Sequence, residues 1–153
     1  MSTRADSQSS SERKPRLLAA LPLALGLLAA LPALFNGALF DDELLIFSNP
    51  YAQSLRYLPE NLSRDFFFSA AGQPIGYYRP ASKLLFMLEY QLFGARPLGY
   101  HALSLVAFAA LIALGFRLAR QLAFAPRAAA LALCLFATHP ASARTVATIA
   151  SQS

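Results

Sequence analysis

Long uncharged apolar runs alternate with polar stretches along this chain, and these runs are its main structural signal. Residues 17–40 hold no charged side chain, and residues 98–122 carry charge only near their end, at Arg117 and Arg120. A hydrocarbon core about 30 Å thick needs roughly 20 helical residues at 1.5 Å each. Both runs are therefore predicted to be transmembrane helices.

Two further apolar stretches are shorter. Residues 123–141 reach marginal spanning length and are predicted to form a third transmembrane helix. Residues 83–93 number only 11 and include Glu89. At that length an interfacial or re-entrant helix is favoured over a membrane span.

The amino-terminal residues 1–16 are polar and rich in serine, with no apolar periodicity. This composition predicts a disordered tail. A cleaved signal peptide is the alternative interpretation of the run that follows, since such peptides have an apolar core of about 7–15 residues. The run at 17–40 is longer and further spans come after it, which favours a retained helix.

The segment between the two clear spans, residues 41–97, is rich in aromatic side chains and is not typical of a linker. Asn49 followed by Pro50 predicts a helix start, and Pro80 and Gly94 predict the two ends of another helix. We therefore expect an outer loop with two interfacial amphipathic helices, joined by a turn at SAAGQPIG. Residues 142–153 are expected to form an outer carboxy-terminal segment.

Composition and charge placement agree with this membrane topology. The 153 residues are 56% hydrophobic and 14% charged, which predicts an all-α membrane protein of about three transmembrane helices. Basic residues dominate the tail and the link between the last two spans, so both are placed in the cytoplasm of a multi-pass plasma (inner) membrane protein. The net charge of +5 is then topological, and no nucleic-acid partner is expected.

Three acids follow the first span: Asp41, Asp42 and Glu43. Carboxylates just beyond a helix carboxyl end face its negative dipole end, at a cost of roughly 0.3–1 kcal/mol each. One interpretation is that Asp41 or Asp42 is solvated or caps the short helix ELLIF that follows. The other is that one carboxylate is held partly desolvated and acts as a general base.

The sequence shows none of three common motifs of soluble enzymes. The sequence has no glycine-rich phosphate loop, no paired-cysteine metal site and no nucleophile elbow. His101 and His139 are the only histidines, too few for a zinc site unless acids join them. No metal and no cofactor are predicted. For His139, a neutral, hydrogen-bonded interfacial histidine is the simpler reading.

Several short motifs stand in a recognisable order. Asn36, Phe40, the Asp41–Asp42 pair, Ile46 and Asn49 come first, followed by RDFF (64–67), YYRP (77–80), LFMLEYQLFGARPLGYH (85–101) and FATHP (136–140). This order resembles the amino-terminal membrane region of the transmembrane and tetratricopeptide-repeat O-mannosyltransferase-like proteins and their bacterial relatives. The resemblance covers roughly residues 30–150 and implies part of the C-type glycosyltransferase fold.

The resemblance implies a function for particular residues. Asp41 and Asp42 occupy the place of the catalytic acid pair, with one as base on the acceptor hydroxyl and the other orienting the acceptor. Arg79 and Lys83 are candidates for binding the phosphate of a polyprenyl-phosphate sugar. The motifs also make Tyr78, His101 and His139 candidates for substrate binding. The implied reaction is an inverting single displacement to a protein or glycan acceptor at the lipid bilayer.

The sequence also departs from the family pattern. Arg144 and Gln152 stand where the family usually has an acid and an arginine, and the chain stops at Ser153 although the full fold carries many more spans. These departures predict a truncated product or one piece of a split enzyme, inactive without further membrane segments as partners. The alternative is a non-catalytic scaffold or accessory subunit that uses its outer loop for protein contacts.

Overall fold

The computed structural model describes residues 3–39, 41–68 and 76–152, with side chains from residue 17 to residue 150 inside these ranges. Every regular element in them is helical. Seven α-helices follow one another in these ranges: α1 (Thr3–Ala30), α2 (Pro50–Gln53), α3 (Leu58–Ser63), α4 (Pro80–Phe93), α5 (Pro97–Gln121), α6 (Pro126–Thr138) and α7 (Pro140–Ala147). Short 3₁₀ turns cover Leu31–Phe35, Leu55–Tyr57 and Ile149–Gln152, and a π-helical turn covers Glu43–Phe47.

Helix α1 begins much earlier than expected. The sequence predicts a disordered tail over residues 1–16, whereas the helix already begins at Thr3. Extending an existing helix adds one hydrogen bond for each residue fixed, so an apolar helix can propagate into a polar flank. Pro15 lies inside this helix, between the polar and the apolar part, and has no backbone N–H to donate to the preceding turn.

The chain divides into two compact units. The first unit comprises Met1–Leu31 and Leu105–Ala143, and the second comprises Pro32–Ser104 and Arg144–Ser153. In the first unit α1 packs along α6. Gly26 of α1 lies so close to its neighbours that an added Cβ would meet Ile112 Cδ1 at 2.7 Å and Ala137 Cβ at 3.0 Å. Small residues allow helices to approach this closely in membranes.

Among the residues that the structure describes, two stretches are long and apolar enough to cross a membrane: Leu17–Phe35, with 19 residues, and Pro97–Gln121, with 25. Many of their leucines point outward, including Leu17, Leu28, Leu111 and Leu114. Helix α6 is also apolar but has 13 residues, about 20 Å of helix at 1.5 Å per residue. The predicted fold class, an all-α membrane protein, is confirmed, and the third span stays a prediction.

The core of the second unit is built from side chains that come from five separate stretches of sequence. It contains Leu45, Ile46, Phe66, Phe86, Tyr100 and Ile149. Tyr100 lies at its centre, with ring centroids 5.3 Å from Phe47 and 5.7 Å from Phe93. Its hydroxyl donates to the carbonyl oxygen of Gly94 at 2.9 Å. This core joins α4, α5 and the carboxy-terminal turn to the start of the loop at residues 41–97.

The first helix predicted in the outer loop is divided into short pieces. Asn49 caps α2 by accepting a hydrogen bond of 3.1 Å from the Tyr51 N–H, and Pro50 is the first helical residue. The backbone then becomes extended at Ser54, and α3 begins anew with Pro59 at its start. Pro59 lies in the first turn of α3, where its missing backbone N–H removes no helical hydrogen bond. The predicted turn SAAGQPIG covers residues 69–76, of which 69–75 lie outside the described residues.

Candidate functional site

Asp42 is completely buried, with 0% of its surface exposed. Its Oδ2 accepts a hydrogen bond of 2.9 Å from the Leu39 N–H, and its Oδ1 accepts one of 2.6 Å from the Ala150 N–H. Backbone N–H donors to a carboxylate compensate for its removal from water. Asp42 therefore connects the end of the first apolar run with the carboxy-terminal turn.

The two acids of the pair have different environments. Asp41 is exposed, as the solvation interpretation expects. Asp42 precedes the π-helical turn but makes no side-chain cap on it, because its own backbone is helical and its oxygens face Leu39 and Ala150. The capping interpretation is therefore wrong for Asp42. The neighbouring Glu43 is exposed, and its Oε1 accepts from Ser48 Oγ at 2.5 Å.

Two more side chains contact the same carboxy-terminal segment. Nδ2 of Asn36 donates to the Ala147 carbonyl oxygen at 3.4 Å, and Nδ1 of the buried His101 lies 3.4 Å from the carbonyl oxygen of Val146. Because a carbonyl oxygen can only accept, this bond requires the proton on Nδ1. Together with Asp42 these residues hold residues 146–150 against the start of the loop at residues 41–97.

His101 has one further property that sequence alone did not indicate. Its Nε2 atom is buried and has no hydrogen-bond partner within the described part of the chain. With its proton on Nδ1, this nitrogen is an unused acceptor. His101 therefore contacts the same carboxy-terminal segment as Asp42. It contacts that segment at Val146, whereas Asp42 binds it at Ala150.

A second group of predicted residues lies between α3 and α4. The ammonium group of Lys83 is buried and donates to the carbonyl oxygens of Arg64 at 3.1 Å and Asp65 at 2.7 Å. Burial lowers the pKa of Lys83, while the Asp65 carboxylate acts in the opposite direction. Lys83 thus holds the backbone just after α3. The sequence predicts phosphate binding for Lys83 and does not predict this structural role.

Asp65, which the sequence analysis did not single out as a site residue, organises the same region. Its Oδ1 accepts from the Phe67 N–H at 2.9 Å and its Oδ2 from the Tyr77 N–H at 2.6 Å. The Phe66 N–H also donates to the Tyr77 carbonyl oxygen at 2.5 Å. These bonds fix the backbone that leads into Tyr78 and Arg79. The motif RDFF was the signal for this role, since aspartate commonly bonds the backbone two residues further on.

Arg79 and Tyr78 are both exposed at the start of α4. The guanidinium carbon of Arg79 lies 5.5 Å from the ring centroid of Tyr77 and 5.7 Å from that of Phe66. The Tyr78 hydroxyl donates to the Leu62 carbonyl oxygen at 2.5 Å. The aromatic rings and the Asp65 bonds therefore hold a cationic side chain at a helix amino terminus, where backbone N–H groups also favour anions.

Glu89 is a buried acid that sequence reasoning placed in α4 without assigning it to a site. It is 1% exposed, and neither carboxyl oxygen has a hydrogen-bond partner among the described residues. Burial raises the pKa of Glu89 to about 7. An unpaired carboxylate is costly in such a place, so the neutral form is favoured.

His139 belongs to the first unit and begins a helix. Its Nδ1 accepts from the Ala141 N–H at 3.1 Å, and its carbonyl oxygen accepts from the backbone N–H of Ser142 at 3.0 Å. Pro140 is the first residue of α7. The HP motif is thus a capping residue followed by proline at the first helical position. This hydrogen bond agrees with the simpler interpretation of His139.

Residues 17–39, 41–68 and 76–150 contain no group of three or more histidine, cysteine, aspartate or glutamate side chains that could hold a metal ion. Arg144, at a position where the family pattern usually has an acid, is exposed. The side chain of Gln152 lies outside the described residues.

The fold and this site define an all-α membrane protein in which one buried and one exposed carboxylate follow the first apolar helix. Curated proteins are similar to it. It is 33% identical to Protein O-mannosyl-transferase Tmtc1 of Drosophila melanogaster over 81% of this chain and 15% of that protein. It is 28% identical to Protein O-mannosyl-transferase F38B6.6 of Caenorhabditis elegans, over 83% of the chain and 19% of that protein.

A mammalian protein gives the same result. The chain is 32% identical to Protein O-mannosyl-transferase TMTC3 of Mus musculus, over 71% of the chain and 12% of that protein. No protein-family model and no solved structure matches the chain. The relationship to the transmembrane and tetratricopeptide-repeat O-mannosyltransferase-like proteins is confirmed. The chain spans less than a fifth of the length of these relatives.

Proposed function

We propose that this chain contributes the acid pair of a membrane glycosyltransferase. In this proposal a mannose-like sugar passes from a polyprenyl-phosphate donor to a hydroxyl acceptor on the outer side of the membrane. The observation that carries it is the contrast between the two acids: Asp41 is exposed, whereas Asp42 is buried and bound by two backbone N–H groups. The names of the relatives support glycosyl transfer as the reaction.

Because the two carboxylates have different environments, we assign them different roles. Both oxygens of Asp42 already accept hydrogen bonds from the protein, so we assign Asp42 to positioning the loop. Asp41 is open to an incoming acceptor, so we assign it the role of general base. The acceptor oxygen attacks the anomeric carbon as Asp41 takes the hydroxyl proton. The bond from that carbon to the phosphate oxygen breaks, and the lipid phosphate leaves with the bonding electron pair.

Arg79 is the residue that we assign to the donor phosphate. Its guanidinium can bond a phosphate with two parallel N–H groups, and it lies at the amino terminus of the 14-residue helix α4. Lys83 and Tyr78 have their polar groups on the backbone of residues 62–65. We therefore assign these two residues to holding the segment that presents Arg79, rather than to direct contact with phosphate.

The test is a transfer assay on membranes from the source organism, with radiolabelled polyprenyl-phosphate mannose as the donor. We expect deletion of the chain to abolish transfer and the wild-type chain to restore it. An Arg79→Gln chain should raise the KM for the donor, since the bidentate contact is lost. Arg96→Gln, a second exposed arginine of the same loop, is the matched control. Transfer that continues after the deletion would contradict the proposal.

A further inference from the structure

The first unit has an unbalanced positive charge at one end of its helices. Within residues 17–31 and 105–143 the charged residues are Arg117, Arg120 and Arg127, and all three are exposed. No aspartate or glutamate follows Glu89 in the sequence, and residues 1–16 add four basic residues against two acidic ones. The unit therefore lacks the carboxylates that would neutralise these guanidinium groups.

An open groove lies at this end of the unit. It is lined by Leu17 and Leu18 of α1 and by Ala125, Pro126 and Arg127 at the start of α6, and its volume is about 640 Å³. This volume falls within the range of about 300–1,000 Å³ that is usual for small-molecule sites. Four of the five lining side chains are apolar and the fifth is a guanidinium. The groove therefore offers an apolar surface and an anion-binding group side by side.

The floor of the groove is fixed by packing. Leu18 packs against the small core formed by Phe116, Ala129 and Ala130. Leu17, its neighbour in the same lining, is 70% exposed. An apolar side chain that is this exposed next to a packed one provides a surface that a hydrocarbon chain can cover.

The depth of the groove follows from the two candidate spans. The span Leu17–Phe35 begins at a residue that lines the groove, and the span Pro97–Gln121 ends four residues before Ala125. Because a spanning helix ends at the boundary of the hydrocarbon core, the groove lies at the level of the lipid headgroups. At this level basic side chains meet lipid phosphates, and apolar side chains meet the upper parts of acyl chains.

The connection between α5 and α6 adds further donors for an anion. The Arg120 guanidinium donates to the carbonyl oxygen of Phe124, which places a second cation at the connection that leads to Arg127. No side chain caps the start of α6, where Ala125 is the capping residue. The backbone N–H groups of its first turn therefore support the binding of negative charge beside Arg127.

We propose that this groove binds a membrane phospholipid with a net negative headgroup. The lipid phosphate accepts two parallel hydrogen bonds from Arg127, and an acyl chain lies along Leu17 and Leu18. A zwitterionic lipid brings its own cation and leaves the charge of the three arginines unbalanced, so an acidic lipid is favoured. The proposal depends on the chain being a membrane protein and does not depend on glycosyl transfer.

The test is native mass spectrometry of the full chain purified in detergent. Phosphatidylglycerol and phosphatidylcholine with the same acyl chains are added in equal amounts, and a polyprenyl phosphate is added in a separate series. Arg127→Gln removes the proposed phosphate contact. Arg96→Gln, which removes an exposed arginine of the second unit, changes the net charge equally and is the matched control.

We expect one phosphatidylglycerol to remain bound per chain, with an affinity at least about fivefold higher than that of phosphatidylcholine. Arg127→Gln should weaken phosphatidylglycerol binding about fivefold, and Arg96→Gln should leave it unchanged. Equal retention of the two lipids by the wild-type chain, or retention of neither, would overturn the proposal without any variant. Equal effects of the two substitutions would also overturn it. Preferential retention of the polyprenyl phosphate would assign the groove to that lipid and overturn the proposal as well.

Discussion

The Oδ1 atom of Asp42 accepts a hydrogen bond of 2.6 Å from the backbone N–H of Ala150, which lies 108 residues later in the chain. The other oxygen of the same carboxylate binds the Leu39 N–H. A single buried side chain thus joins the start of the loop at residues 41–97 to the carboxy-terminal turn. The position of its neighbour Asp41 therefore depends on a segment that is remote in sequence.

Replacing Asp42 by asparagine should destabilise the second unit. Asparagine keeps one acceptor oxygen, and its NH₂ group would face a backbone N–H donor. Leaving a buried donor without its acceptor costs roughly 1–3 kcal/mol. We expect Asp42→Asn to lower the thermal unfolding midpoint of the purified chain in detergent, as followed by circular dichroism. Asp41→Asn, at an exposed position, is the control and should unfold with the wild type. Equal midpoints for all three proteins would contradict the positioning role.

Glu89 should make the stability of the chain depend on pH. Its pKa is raised from 4.5 to about 7 in the folded state, so the folded state binds this proton more tightly than the unfolded state does. The stabilising contribution is complete below about pH 4.5 and is lost as the pH rises through about 7. Relative to low pH, the loss approaches about 3 kcal/mol above pH 7.

Glu89→Gln should remove that dependence because the amide remains neutral. Thermal midpoints measured from about pH 5 to pH 8 are expected to fall less for Glu89→Gln than for the wild type. Asp41→Asn serves as a control for removing a negative charge at an exposed position. A pH profile identical to that of the wild type would show that Glu89 is ionised or paired in solution.

Lys83 should be a structural residue even in the absence of any phosphate ligand. Lys83→Met keeps the aliphatic length but removes the two hydrogen bonds to the Arg64 and Asp65 carbonyl oxygens. We expect a loss of roughly 1–3 kcal/mol in the free energy of unfolding and faster proteolysis of the loop after α3. Arg96→Met, which removes an exposed cation, should leave both unchanged. A Lys83→Met chain that resists protease like the wild type would contradict this role.

The close helix packing of the first unit can be tested at Gly26. A methyl group there would lie 2.7 Å from Ile112 Cδ1 and 3.0 Å from Ala137 Cβ. Ala137 Cβ is bonded directly to the backbone of α6, so it can move away only if α6 moves. Gly26→Ala should therefore cost roughly 1–3 kcal/mol in the free energy of unfolding. Gly37 has no atom within 4 Å of an added Cβ, and Gly37→Ala is the matched control. If the two variants unfold at the same temperature, the contact is absent in solution.

Local patterns predicted much of the fold. Asn49–Pro50 marks the start of α2, and Pro80 and Gly94 mark the limits of α4, because caps and prolines act within a few residues. The helical backbone of residues 3–16 was not predicted, because helix propagation from an adjacent apolar run is not visible in local composition. The partners of Asp42 and Lys83 could not be predicted either, since both are backbone groups brought close by tertiary packing.

The central claim is that Asp41 acts on the acceptor while Asp42 holds the loop. The most direct test measures sugar transfer and thermal unfolding together for Asp41→Asn, using source-organism membranes supplied with radiolabelled polyprenyl-phosphate mannose. The account predicts a loss of transfer on the order of 10²-fold or more, as expected for a missing general base, with wild-type thermal stability. Wild-type transfer rates in Asp41→Asn membranes would contradict it.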